Sequence, residues 1–189
     1  MNKYSATVIG MSAEGLDVLM QLFVNLKDSF PMPVILVQHL HSNAESELSD
    51  ILRRYTGMKV KECTANVKIG SGTIYTAPAN YHILIKRNKT ISLSYEEKVN
   101  YSRPSIDMLF ESAAYVWTGE LIGLLLTGAK NDGAMRMGKI KELGGLTMAE
   151  NPQTAEYPTM PKRAIDKGWV DLILNIEETK SYLENLSII

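Results

Sequence analysis

Apolar runs and amphipathic stretches alternate along the chain. Ala6-Thr7-Val8-Ile9 is an apolar, β-branched run that ends at Gly10, and from Leu16 onward Leu19, Met20, Phe23 and Leu26 recur at helical spacing. The stretch reads as strand, tight turn, helix. Phe30-Pro31-Met32-Pro33 turns rigidly into Val34-Ile35-Leu36-Val37, a continuous apolar run of the kind buried on both faces of a parallel sheet. Ser42-Asn43-Ala44-Glu45 has the pattern of a capping box ahead of a helix that faces Leu48, Ile51, Leu52 and Tyr55 inward. From residue 70 to residue 94 the period changes to two, through Thr73-Ile74-Tyr75-Thr76-Ala77, Tyr81-His82-Ile83-Leu84-Ile85 and Thr90-Ile91-Ser92-Leu93. This predicts an antiparallel hairpin attached to a parallel sheet.

Helical spacing returns at Ile106, Leu109, Phe110, Ala113 and Trp117, with Pro104 suited to a first helical turn. Leu121-Ile122-Gly123-Leu124-Leu125-Leu126 is the most hydrophobic run and predicts a central strand. A helix carrying Met135, Met137 and Ile140 follows and stops at Gly144-Gly145, and Leu146-Thr147-Met148-Ala149 is a further strand. A polar loop over 150–161 precedes a short helix around Ala164-Ile165, the strand Val170-Asp171-Leu172-Ile173-Leu174, and a last helix with Tyr182, Leu183 and Leu186. There is no internal repeat.

Composition narrows the picture. With 189 residues, 45% of them hydrophobic, the chain can bury one sizeable core, and roughly 100–200 residues per domain predicts a single domain over 1–189. Twenty basic residues against 21 acidic ones give a formal charge of -1, which argues against a nucleic-acid or anionic-membrane footprint and for a protein or small-molecule substrate. No run approaches the ~18 apolar residues of a membrane span. The first four residues lead into a strand rather than a signal peptide, so a cytoplasmic protein without membrane insertion is expected. Cys63 is the only cysteine, which excludes an internal disulfide and any multi-cysteine metal site. It closes the alternating, edge-like run Lys59-Val60-Lys61-Glu62 and reads as a packed small apolar residue.

The candidate chemistry lies where apolar strands end. Ser12 sits in the turn after the first strand, where open α/β sheets bind ligands and the next helix offers unpaired N–H groups. Gly10-Met11-Ser12-Ala13-Glu14-Gly15 departs from a dinucleotide fingerprint, whose middle glycine it replaces by Ser12. It also departs from a hydrolase elbow, because the second glycine falls one place late. A serine that merely caps the helix fits the stretch as well. The second strand delivers Gln38 and His39 to its carboxyl end, and the central strand runs into Thr127-Gly128-Ala129-Lys130-Asn131-Asp132-Gly133. By the right-handed crossover rule, the tips bearing Ser12 and His39 share one sheet edge. A hydroxyl, an imidazole and a carboxylate at Ser12, His39 and Asp132 would form a complete nucleophile, base and orienting acid. Taken singly, His39 fits a satisfied strand-end histidine and Asp132 a helix cap; His41 and His82 read as surface or hairpin residues.

Five blocks together carry a resemblance. They are Val8-Ile9-Gly10-Met11-Ser12-Ala13; Val34-Ile35-Leu36-Val37-Gln38-His39; Arg103-Pro104-Ser105-Ile106-Asp107-Met108-Leu109-Phe110; Leu126-Thr127-Gly128 with Asn131-Asp132-Gly133-Ala134; and Ala155-Glu156-Tyr157-Pro158-Thr159-Met160-Pro161. In this order, over essentially the whole chain, they resemble the catalytic domain of the CheB family, the protein-glutamate methylesterases of bacterial chemotaxis. The resemblance implies an α/β fold, a doubly wound, mostly parallel sheet with helices on both faces and an antiparallel hairpin. It implies a serine hydrolase that demethylates glutamate methyl esters on methyl-accepting receptors and can deamidate certain glutamines, with no cofactor and no metal. On matching positions Ser12 resembles the nucleophile, His39 the general base and Asp132 its orienting acid; backbone N–H groups of Ala129 and Ala13 fall where oxyanion donors are expected.

The chain also departs from that pattern. The family usually carries an N-terminal receiver domain, whereas this chain begins at the first catalytic strand, so the expectation is control by a separate response-regulator partner or no control at all. The family's Ser-x-Gly-Gly turn is Ser12-Ala13-Glu14-Gly15, and its Met-Gly before Asn-Asp is Ala129-Lys130. A carboxylate two residues from the nucleophile opposes developing negative charge. Lys130 is expected near Glu14, offsetting it. The alternative is a CheB-like regulatory domain that binds a signalling partner with weak or no turnover.

Overall fold

The computed structural model describes residues 3–24, 26, 29–39 and 47–186. The expected capping box at 42–45 and His41 lie outside these residues. In chain order the elements are β1 (Ala6–Met11), α1 (Leu16–Phe23), β2 (Val34–Gln38), α2 (Leu48–Tyr55), β3 (Lys59–Glu62), β4 (Thr73–Thr76), β5 (His82–Ile85), β6 (Ile91–Ser94) and α3 (Ile106–Trp117). There follow β7 (Leu121–Leu125), α4 (Ala134–Glu142), β8 (Leu146–Glu150), α5 (Thr159–Asp166), β9 (Leu172–Leu174) and α6 (Ile176–Asn185).

Seven strands form one parallel sheet in the order β3-β4-β2-β1-β7-β8-β9. Every residue of β1, β2 and β7 is buried, as continuous apolar runs require when helices cover both faces. Successive side chains on β1 go to opposite sides. Val8 joins a core with Ile106, Phe110, Met137 and Met160 from α3, α4 and α5. Ile9 joins a second core with Leu19, Leu22, Leu52 and Leu183 from α1, α2 and α6. The doubly wound, mostly parallel arrangement expected from the sequence is the fold observed.

The chain builds outward from β1 through β2 to β4 and β3, then returns to β1's other side with β7 and continues to β8 and β9. That reversal is a topological switch point, where the loops at the carboxyl ends of neighbouring strands diverge and leave a crevice. Register keeps the tips level, with Met11 opposite Gln38 and Gly10 opposite both Val37 and Leu125. Ser12, His39 and the loop after β7 thereby leave the sheet at one edge.

Some details differ from the sequence reading. The hairpin β5-β6 is a separate two-stranded sheet, while β4, expected beside it, pairs with β2 and β3. Ile85 N donates to Ser112 Oγ at 3.1 Å, which ties the hairpin to α3 rather than to the main sheet. Pro104 lies ahead of α3, whose N-cap is Ser105, with its hydroxyl accepting from Met108 N. Leu26 is buried, but α1 ends at Phe23. Among the described residues no helix is long and apolar enough to cross a membrane.

Candidate active site

Ser12 leaves β1 with its amide donating to Thr127 O at 3.0 Å, so the turns after β1 and β7 are bound to each other. A 3-10 turn at Ala13–Gly15 then leads into α1. The glycine that falls one place late has a packing reason: a Cβ on Gly15 would stand 2.3 Å from Met11 Cε and 2.8 Å from Thr127 Cγ2. Gln38 Nε2 donates to Ala13 O at 2.9 Å and His39 N to Met11 O at 3.0 Å, pinning the tip of β2 against the turn that carries Ser12.

His39 and Asp132 meet directly, Nε2 to Oδ2 at 2.8 Å, with His39 4% exposed and Asp132 0%. With Asp132 ionised, His39 Nε2 must be the donor, so in neutral His39 the lone pair is on Nδ1. That Nδ1 is buried and has no hydrogen-bond partner among the described residues. Asp132 does not cap its own helix, α4. It lies at the N-terminus of α3, accepting from Ile106 N at 2.6 Å on Oδ2 and from Asp107 N at 3.1 Å and Ser105 Oγ at 2.8 Å on Oδ1. Burial alone would raise its pKa, but the His39 hydrogen bond and charge and the two backbone donors hold the carboxyl below the usual range.

Asp107 reciprocates by accepting from Gly133 N at 2.9 Å, at the start of α4. Each aspartate therefore caps the other's helix. Gly133 has φ +89°, a conformation that favours glycine, and a Cβ there would meet Ile106 Cγ2 at 2.5 Å. Burial, and then the facing charge of Asp132, push the Asp107 carboxyl up to about 6. Behind this pair, His82 Nδ1 accepts from Ser105 N at 3.2 Å and His82 Nε2 donates to Glu97 O at 3.0 Å. His82 lies on the hairpin as expected but is fully buried, not at the surface. Ser105, Asp107 and His82 escaped the sequence reading, although the first two stand inside a recognised block; their partners come from other elements.

Ser12 is 4% exposed, and its hydroxyl donates to Glu14 Oε2 at 2.7 Å. Lys130 Nζ donates to Ser102 Oγ at 3.2 Å. Ala129, on the exposed bend after β7, follows Gly128, whose amide donates to Tyr157 O and whose carbonyl accepts from Met160 N, both at 2.8 Å. Thr127 N donates to the buried Glu150 carboxylate at 2.7 Å, and burial raises the pKa of that acid. Cys63 is buried, with its thiol pushed up by desolvation and then by Glu62, which makes it inert. Among the described residues no group of three or more His, Cys, Asp or Glu side chains is placed to hold a metal.

Comparison with known proteins agrees with this architecture. The family profile described as CheB methylesterase matches residues 7–183. A protein of Leptospira interrogans serovar copenhageni, provisionally designated a protein-glutamate methylesterase/protein-glutamine glutaminase, is 45% identical over 175 residues, covering 93% of this chain and 91% of that one. Protein-glutamate methylesterase/protein-glutamine glutaminase 1 of Carboxydothermus hydrogenoformans is 38% identical over 92% of this chain and 52% of its own length. The crystal structure of the Thermotoga maritima CheB methylesterase catalytic domain superposes with a TM-score of 0.91 at 29% identity, covering 98% of this chain and 99% of the other. In sequence and in fold, the chain belongs to the CheB methylesterase family.

Proposed function

We propose that this chain is a single catalytic unit that hydrolyses glutamate γ-methyl esters on a methyl-accepting receptor, and deamidates glutamines by the same chemistry. The observation that carries the reading is the buried His39–Asp132 pair with His39 Nδ1 left unpartnered beside the strand tip that bears Ser12. In the reaction the Ser12 hydroxyl turns from Glu14 to Nδ1. Ser12 Oγ attacks the γ-carbonyl carbon as His39 takes its proton, and Asp132 stabilises the imidazolium through Nε2. Backbone N–H groups of Ala129 and Ala13 hold the oxyanion. Collapse expels methanol, protonated by His39, or ammonia from a glutamine. Water then attacks the acyl-enzyme, His39 takes its proton, and a glutamate carboxylate leaves with Ser12 restored. The reading carries with it a cytoplasmic enzyme whose chemistry needs neither metal nor organic cofactor.

One observation favours a second reading. Because the Ser12 hydroxyl is engaged by Glu14, the domain could bind a signalling partner with little turnover. A serine-reactive fluorophosphonate separates the two: labelling at Ser12 that disappears in His39→Ala supports the hydrolase, and an unlabelled wild-type protein supports the binding domain.

A further inference from the structure

Asn131, the residue before Asp132, lines two adjoining depressions on the exposed edge of the site. One, of about 390 Å³, is formed with α5 and is walled by Lys162, Arg163, Asp166 and Lys167; the other, of about 230 Å³, is walled by Asn100, Tyr101 and Lys130. Four cationic side chains thus face one carboxylate, Asp166, and that one is already taken up by Lys162 at 2.6 Å. Among the described residues no salt bridge engages Arg163, Lys167 or Lys130.

The groove is tied to the site. The pairing of Gly128 with Tyr157 and Met160 clamps the start of α5 to the turn that carries Ala129, so the basic wall keeps a fixed register with the reacting centre. At the other end Tyr101 stands 92% exposed with φ +62°, next to Asn100 at φ +48°, whose Nδ2 donates to Asp107 Oδ2 at 2.9 Å. Asn100 and Tyr101 are the two central residues of a tight turn between the bridged Val99 and Ser102, a turn type that takes positive φ at both, and it presents the Tyr101 ring to solvent at the rim of the groove.

We infer that this groove binds an acidic stretch of the substrate polypeptide beside the esterified glutamate. The inference rests on the proposed esterase reading and adds the substrate's local chemistry. An ester side chain is neutral and gives the groove no charge to recognise, whereas acidic side chains beside it would supply that charge. Arg163 and Lys167 attract that segment, and the charge term acts on encounter and binding rather than on bond breaking.

Two peptides bearing one glutamate γ-methyl ester test this, one flanked by glutamates and one by serines and glutamines. Wild-type protein should hydrolyse the acidic peptide with kcat/KM about tenfold higher at about 50 mM salt, with the advantage lost near 500 mM. The double variant Arg163→Glu, Lys167→Glu should raise KM for the acidic peptide about tenfold at unchanged kcat, and leave the neutral peptide and the melting temperature unchanged. Equal rates on the two peptides, or an equal loss on both in the variant, overturn the inference. Fluorescein-labelled forms of the peptides, titrated by anisotropy, read the groove without turnover. If neither peptide releases methanol, the esterase reading fails, and the groove still stands or falls by whether the acidic peptide binds more tightly. Tighter binding of an oligonucleotide than of the acidic peptide would also overturn it.

Discussion

The Ser12 hydroxyl donates to Glu14 Oε2 at 2.7 Å while the free nitrogen of His39, the base proposed to activate it, has no partner among the described residues. The carboxylate that holds the nucleophile also places negative charge where the tetrahedral intermediate develops its own. In the proposed mechanism Glu14 would act against catalysis twice, by restraining the ground-state hydroxyl and by opposing the oxyanion.

Replacing Glu14 by Gln or Gly should raise kcat and the rate of fluorophosphonate labelling by about tenfold, the equivalent of ~1.4 kcal/mol in barrier height. Stopped assays for methanol and mass spectrometry of the labelled serine check this. An unchanged or lower rate in both variants would show that Glu14 is not a brake.

Asp132 has a catalytic and a structural part that one substitution separates. Asp132→Asn keeps the shape but cannot hold His39 as the Nε2–H tautomer, so activity should fall roughly 10³–10⁴-fold. Only one end of the amide accepts, so its NH2 sets a donor against the backbone N–H of Ile106 or Asp107, and loss of one charged hydrogen bond costs about 1.5–3 kcal/mol. Steady-state kinetics and denaturant unfolding should both move, the first far more than the second.

The paired caps give a pH signature. Asp107 has a folded pKa of about 6 against an ordinary 3.8, so between those values the folded state holds the extra proton. Stability therefore falls as pH rises through about 4 to 6 and levels off above. The depressed Asp132 carboxyl works the other way, contributing stability that is lost only as pH falls below the ordinary aspartate value, outside that window. Asp107→Asn should flatten the unfolding free energy between pH 4 and 6; an unchanged slope would contradict the assignment.

Gly133→Ala places a side chain on left-handed backbone and against Ile106 and Leu125. It should destabilise the fold by about 1–3 kcal/mol and lower activity with it, since the same turn aims Asp132 at His39. Thermal unfolding beside labelling of Ser12 reads both effects.

Much of this was legible in the sequence because chemistry and patterning coincide at strand ends. Ser12, His39 and Asp132 each follow an apolar run, and a doubly wound sheet brings such ends to one edge. The contacts that do not follow local pattern stayed hidden. Taken singly, Asp132 fits a cap for the helix it precedes, yet it caps α3, because the reciprocal exchange with Asp107 exists only once α3 and α4 meet. His82 lies on a short alternating strand that looked half exposed, and its burial comes from α3 packing on the hairpin.

Methanol release from a methylated receptor, measured with wild-type protein and with Ser12→Ala, tests the central claim most directly. The account predicts release by the wild type and none above the uncatalysed rate in the variant. Undiminished release without the Ser12 hydroxyl would contradict it.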